Sequence, residues 1–306
     1  MLIQNPPVEV AGGVWMLGTA AYPVYLIRGP REGAIVEGGI SALGPLLAGQ
    51  FHKCGVGPDY VRQAVITHAH PDHVMAVPRF REMFPGLEVL ASAPAAATLS
   101  TEKAVAFFRQ IDGALTEALT KAGTIAETRH VPAENRIAVD RIVREGDLIA
   151  VDDLSFAVLE TPGHSDCSIS LHDAEHGVLL VSDATGYLLP SGTAWWPNYF
   201  SGYAAYMRSM ERLSALGAET LCLSHNGVVR GRDDVRAYFA GAIAATREYH
   251  QRIVAEARSG KPLRQIAEEL GAEIHRQAPV LPLDFFQKNC GLLVKQSLKH
   301  EGLSPG

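Results

Sequence analysis

The chain has 306 residues, 47% of them apolar and 20% charged, with a formal net charge of −6. That is enough to bury a substantial core in one large domain, or in one domain with an appendage. The acidic balance and the lack of any Lys/Arg run argue against a nucleic-acid partner, and no apolar stretch approaches the roughly 20 residues a membrane helix needs. Cys54, Cys167, Cys222 and Cys290 are scattered with no CxxC pair, so reduced, buried thiols are expected. The segment Met1-Leu2-Ile3-Gln4-Asn5-Pro6-Pro7 lacks the basic and apolar regions of a secretory signal, and a cytoplasmic location is the default expectation.

In chain order, Val8 to Leu17, Tyr22 to Arg28 and Ala34 to Glu37 read as strands, broken at Gly12-Gly13, Gly29-Pro30 and Gly38-Gly39. Ala64-Val65-Ile66-Thr67 is a short buried strand that stops at a histidine cluster, and Leu87 to Ala91 is another. Thr101 to Ala122 has helical periodicity, with Val105, Phe108, Ile111, Leu115 and Leu119 on one face. Strand signals return at Leu148 to Val151, Ser155 to Leu159, Ser168 to Leu171 and Val178 to Val181. Tyr203 to Leu216 is a helix closed by Gly217, and Thr220 to Leu223 a further strand. Asp233 to Arg258, Pro262 to Leu270 and Leu283 to Lys299 then read as helices. The expected organisation is a mixed α/β body over residues 1–232, with a helical extension over 233–306 packed on it.

The segment His68-Ala69-His70-Pro71-Asp72-His73 holds three of the twelve histidines within six residues. On extended backbone, positions i and i+2 project to one side, so His68 and His70 can reach one metal ion. A turn at Pro71 then aims Asp72 and His73 at a second point. Four such ligands from six residues cannot all serve one tetrahedral ion with an open position, and two divalent ions are the natural solution. Three later segments each end a strand on a polar residue: His164 after Thr161-Pro162-Gly163, Asp183 after Val181-Ser182, and His225 after Leu223-Ser224. Strand ends and loops are where a sheet scaffold presents its chemistry. His130, His172, His176, His250, His275 and His300 are read as surface or packing residues.

This set, in this order, resembles the metallo-β-lactamase-fold hydrolase superfamily. The resemblance implies an αββα four-layer sandwich. It also implies that His68, His70 and His164 bind a first metal, that Asp72, His73 and His225 bind a second, and that Asp183 bridges them. Two ions roughly 3.5–4 Å apart can share a water, lower its pKa toward neutrality and hold a developing oxyanion. Asp72 and His225 are the catalytic candidates, with His225 or a released water assisting the leaving group. A donor set of imidazole and carboxylate without thiolate suits zinc first, with iron and manganese as alternatives.

Val36-Glu37-Gly38-Gly39-Ile40-Ser41, Ser224 to Gly231 and the helical tail are similar to the acyl-CoA thioesterase branch, including its quinolone-signal type. They therefore point to a small acyl ester or thioester as substrate. Lactone hydrolysis, phosphodiester hydrolysis and non-catalytic binding at a metal pocket are the alternatives. Glyoxalase II-like members usually place a Gly-Gly pair shortly after the first motif, whereas this chain has His73-Val74-Met75-Ala76-Val77. Trp195, Trp196, Tyr199 and Phe200 are expected either to wall the substrate pocket or to plug the core or a homodimer contact. The last helix, with Asp284, Phe285, Phe286, Asn289 and Ser297, either caps the site or packs on the body or on a second subunit.

Overall fold

The computed structural model describes residues 1–125 and 135–303; His130 lies outside the described residues. The first half builds one sheet in sequence order from β2 (Val8–Ala11), β3 (Val14–Gly18), β4 (Pro23–Arg28), β5 (Gly33–Val36), β6 (Val61–Ile66), β7 (Glu88–Ala91) and β8 (Arg141–Ile142). It is antiparallel through β5 and parallel from β5 to β8. Parallel neighbours require crossovers. These are supplied by α1 (Gly44–Lys53), α2 (Val77–Met83), and α3 (Ala93–Leu99) with α4 (Glu102–Lys121).

The second sheet takes β1 (Leu2–Ile3), β9 (Leu148–Val151), β10 (Leu154–Glu160), β11 (Ile169–Asp173), β12 (Val178–Ser182), β15 (Thr220–Leu223) and β16 (Val228–Arg230), in the order β1-β16-β15-β12-β11-β10-β9. A two-stranded ribbon, β13 (Tyr187–Leu188) with β14 (Trp195–Trp196), stands apart from both sheets. Helix α5 (Tyr203–Ser214) connects the parallel pair β12 and β15, and α6 (Arg232–Arg258), α7 (Leu263–Gln277) and α8 (Leu283–His300) follow.

Alternation along the strands produces the layers. In β4, Tyr25 and Ile27 enter the core between the sheets, while Val24 and Leu26 face the helices α1–α4. In β12, Val178 and Leu180 enter that same inter-sheet core, and Leu179 and Val181 face α5–α8. Both strands are therefore apolar on both faces, each face feeding a different core. The result is the αββα sandwich, with α6–α8 sharing one apolar core with α5 and the second sheet. All four cysteines are free and buried.

Two departures from the sequence reading have plain causes. Helix α7 runs through Gly271 instead of stopping at Leu270, because Gly271 is where α7 meets α8: a Cβ there would sit 2.6 Å from the backbone of Gln287. The short helices α1–α3 carry no clear sequence signal. Each has proline in its first turn, and α1 contains two glycines, which masks the helical pattern.

Candidate metal centre

The strands β5, β6, β10, β12 and β15 all end at the edge where the histidines and aspartates gather. The histidines and aspartates there come from four separate loops, each following a strand, and this is the usual ligand-binding edge of such sheets. His68 and His70 follow β6, with His70 in extended backbone before a 3-10 turn over Pro71–His73. His164 follows β10, Asp183 follows β12 and His225 follows β15.

These side chains form two groups of donor atoms. In the first, His164 Nε2 lies 3.2 Å from His68 Nε2, 2.9 Å from His70 Nδ1 and 3.3 Å from Asp183 Oδ2. In the second, Asp72 Oδ2 lies 3.5 Å from His73 Nε2 and 3.4 Å from His225 Nε2. Asp183 touches both: its Oδ2 is 3.5 Å from His73 Nε2 and its Oδ1 is 3.6 Å from His225 Nε2. The structure thus brings all seven residues to one place, in two groups that meet at Asp183.

The far side of each ring explains its orientation. His164 Nδ1 lies 2.9 Å from the Asn198 carbonyl and His225 Nδ1 lies 2.8 Å from the Ala21 carbonyl. A carbonyl only accepts, so each Nδ1 carries the proton, and in the neutral ring Nε2 presents a lone pair. His73 Nδ1 is 2.7 Å from Glu37 Oε2, and His68 Nδ1 lies among the Thr67 and Ser182 hydroxyls. Ser224 Oγ donates to Asp183. His73 Nε2 is buried and has no hydrogen-bond partner among the described residues.

Lone pairs facing one another at 3 Å, with a buried nitrogen left orphaned, are costly in an apolar interior unless a cation is shared. The donor set therefore fits divalent metal ions, and the outer hydrogen bonds are those that orient metal-bound histidines. Sequence reading misses these outer partners. Glu37 is signalled only as a strand-end carboxylate before Gly38-Gly39, and the carbonyls of Ala21 and Asn198 leave no signal at all.

The model of the family described as "Metallo-beta-lactamase superfamily" matches residues 18–225, two thirds of the chain and all seven site residues. The chain belongs to the metallo-β-lactamase superfamily. It is 30% identical over 204 residues to the acyl-coenzyme A thioesterase MBLAC2 of Gallus gallus, covering 63% of this chain and 66% of that protein. Over 203 residues it is 25% identical to a hydroxyacylglutathione hydrolase of Cereibacter sphaeroides, covering 66% of this chain and 61% of that protein. It thus spans a little under two thirds of the length of both relatives. A metallo-β-lactamase family protein from Thermus thermophilus superposes with a TM-score of 0.65 at 22% identity, over 95% of this chain and 94% of the other. That match confirms the fold and includes the C-terminal helices.

Within this superfamily scaffold, burial and neighbouring charge set the protonation of the site. Burial pushes His70 down to about 3 and His164 below its ordinary value, and it takes His68 well below, helped by the neighbouring imidazoles. His73 behaves oppositely. Burial disfavours its charge, but Asp72, Glu37 and Asp183 outweigh that and raise it well above the usual histidine value. Asp183 is opposed by burial too, yet the surrounding histidines hold it well below the carboxylate range.

The four aromatics of the 195–200 segment separate. The Phe200 ring lies 5.2 Å from that of His164, and Trp196 backs it by packing on Phe200 and on Phe286 of α8. Tyr199 is fully buried with its hydroxyl 2.9 Å from Ser297 Oγ, and Trp195 packs on Tyr238 and Gly241 of α6. Two residues not singled out by sequence, Tyr22 and Tyr187, flank His225 at ring distances of 5.4 and 4.9 Å. His250, His300 and Glu301 form a separate donor group, where Arg258 pairs with Glu301 at 2.7 Å and ties α6 to the end of α8.

Among the described residues, no helix is long and apolar enough to cross a membrane.

Proposed function

We propose that the chain is a dinuclear metal-dependent hydrolase of a small acyl ester or thioester, with zinc as the first candidate metal. The observation that carries this reading is the placement of Asp183 between two groups of imidazole donors, with His73 Nε2 buried and unpartnered. Held by these two groups, divalent ions would acidify a water toward neutrality and polarise an acyl oxygen. The chain's own residues prepare for this.

Carbonyl contacts keep the Nε2 atoms of His164 and His225 bare. His225 Nε2 and Asp72 Oδ2, 3.4 Å apart, are the catalytic candidates, the ionised Asp72 carboxylate being able to accept a proton from water and return it to the leaving group. Phe200 beside His164, and Tyr22 and Tyr187 beside His225, supply aromatic walls suited to an apolar or aromatic acyl group. Two relatives named for acyl substrates, an acyl-coenzyme A thioesterase and a hydroxyacylglutathione hydrolase, support an acyl bond over a phosphodiester.

The test is a side-by-side assay of an acyl thioester, a lactone and bis-p-nitrophenyl phosphate, with metal analysis of the protein and of Asp183→Ala. Thioester or ester turnover with about two metal equivalents, both falling sharply in the variant, is the expected result. Turnover of the lactone alone would make the chain a lactonase, and turnover of the phosphodiester alone would sink the acyl reading. Inertness of metal-loaded protein on all three would make it a non-catalytic binding protein.

A further inference from the structure

Glu37 sits at the end of β5, buried, on the far side of His73 from the donor groups. Its carboxylate accepts from two directions. His73 Nδ1 is 2.7 Å from Oε2, and Thr67 Oγ1 is 3.0 Å from both Oε1 and Oε2. Thr67 Oγ1 is in turn 2.7 Å from Ser182 Oγ, and Ser182 Oγ is 3.2 Å from His68 Nδ1.

A hydroxyl has one proton to give, which fixes the direction of the chain. Thr67 must donate to Glu37, since a carboxylate only accepts. Its lone pair then takes the Ser182 proton, and the Ser182 lone pair takes the proton on His68 Nδ1. His68 Nδ1 is also 3.3 Å from Thr67 Oγ1, which leads to the same carboxylate.

We propose that Glu37 is a positioning residue that sets the tautomers of two histidines, one in each donor group: His73 directly, and His68 through Ser182 and Thr67. Both rings thereby carry a proton on Nδ1 and turn Nε2 toward the donor groups, bare on His68. Outer contacts of this kind orient ligands and tune their basicity. A single carboxylate serving both groups couples them, so a change at Glu37 reaches atoms on either side of Asp183.

The backbone supports the assignment independently. Glu37 and Ser182 have positive φ, 77° and 50°, which is uncommon for residues other than glycine. Sparsely populated conformations persist where the surroundings over-determine them, and they cluster at functional sites. Here both strained positions hold links of the same relay.

Glu37→Gln makes a directional prediction. The amide oxygen replaces the acceptor for His73, and the NH2 group faces Thr67. Thr67 must then accept, its proton turns toward Ser182, and the relay runs backwards. His68 Nδ1 becomes the acceptor, and the ring proton moves to Nε2, aimed into the donor group. Thr67→Val cuts the relay to His68 and leaves the contact between Glu37 and His73 in place.

The experiment is long-range 1H–15N correlation on histidine-labelled, metal-free protein, followed by zinc titration. The metal titration rests on the reading of the two groups as metal sites, whereas the tautomers do not, so the two can fail separately. The expected result is Nδ1–H on both rings in the wild type and Nε2–H on His68 in Glu37→Gln. In Thr67→Val, His68 alone should change. Zinc affinity in Glu37→Gln should fall about 10–100-fold. If both rings keep Nδ1–H in Glu37→Gln, or if His73 changes in Thr67→Val while His68 does not, the relay is overturned. If the tautomers switch as expected but the wild type takes up no metal, the relay stands and the metal reading falls. Should Glu37→Gln fail to fold, Thr67→Val decides the matter alone.

Discussion

Gly163 immediately precedes His164, and its replacement by alanine probes how tightly the site is held. Its φ is 131°, a left-handed conformation that strains any side chain, and a Cβ built there would lie 2.5 Å from Tyr206 Cβ and collide with the Tyr206 backbone. Ordinary carbon–carbon contact is about 3.5 Å, so the loop and α5 must part by about 1 Å. They are clamped together, however. The Gly163 carbonyl accepts from Ser201 N at 3.0 Å, Gly202 N at 3.1 Å and Ser201 Oγ at 3.2 Å, and Ser209 Oγ donates to the Pro162 carbonyl at 2.8 Å. Overpacking typically costs about 1–3 kcal/mol and a strained backbone another 1–3 kcal/mol. For 306 residues unfolding as one unit, that total of about 2–6 kcal/mol lowers Tm by about 3–9 °C. A displacement of His164 by about 1 Å takes its Nε2 away from His68 and His70 and lowers kcat/KM by about 100-fold. Calorimetry, metal analysis and thioester turnover on Gly163→Ala measure all three effects. A variant with unchanged Tm, metal content and turnover would refute the claim that the His164 loop is fixed by its contact with α5.

Metal removal gives a second check: at metal concentrations near 100 times Kd, each site adds about 2.7 kcal/mol. Chelation should then lower Tm by about 4 °C per occupied site, and thermal scans with and without chelator count the sites. Tyr25, buried in the inter-sheet core, donates to the Leu223 carbonyl at 2.5 Å, two residues before His225. Tyr25→Phe should cost about 1–3 kcal/mol and weaken the second donor group more than the first, as followed by urea unfolding and stepwise metal titration. Asp112 on α4 accepts from Ser41, and burial raises its pKa above the ordinary carboxylate value. A raised carboxylate binds more protons folded than unfolded, so its contribution to stability is lost as pH rises through that window. Urea midpoints at pH 4 and pH 7 should therefore shift in favour of Asp112→Asn at the higher pH, and an unchanged gap would contradict the buried assignment.

What sequence disclosed about the site was what depends on backbone period alone. His68 and His70 two apart on extended chain, and a carboxylate or histidine where an apolar strand stops, are local patterns. The structure brings those side chains together in two groups of donor atoms. What it could not disclose was the outer layer. Glu37 lies 36 residues from His73 along the chain, and only the parallel pairing of β5 with β6 makes them neighbours. The carbonyls of Ala21 and Asn198 are common to every residue type, so no side-chain pattern marks them. The long helices were legible from their periodicity, whereas β8, β13 and β14, at two residues each, are too short to carry one.

The strain in the fold has a location, and it couples the sheets to the site. Of the four described non-glycine residues with positive φ, Glu37, Ser182 and Asn226 each sit at or just beyond a strand end beside the donor groups. Each such position costs about 1–3 kcal/mol and persists only where its surroundings hold it. The holding contacts are long-range: Glu37 N donates to Val65 O at 3.1 Å, Ser182 pairs across the sheet with Leu223, and the Asn226 side chain donates to the Leu188 carbonyl at 2.6 Å. Each of those partners is anchored in a buried strand or ribbon. Loosening the core between the sheets would let these three residues relax toward ordinary backbone conformations, and the donor atoms beside them would diverge. The site therefore depends on core packing well beyond its own contacts, and truncations such as Val65→Ala should weaken metal binding as well as stability, even though Val65 is not one of the seven donor residues.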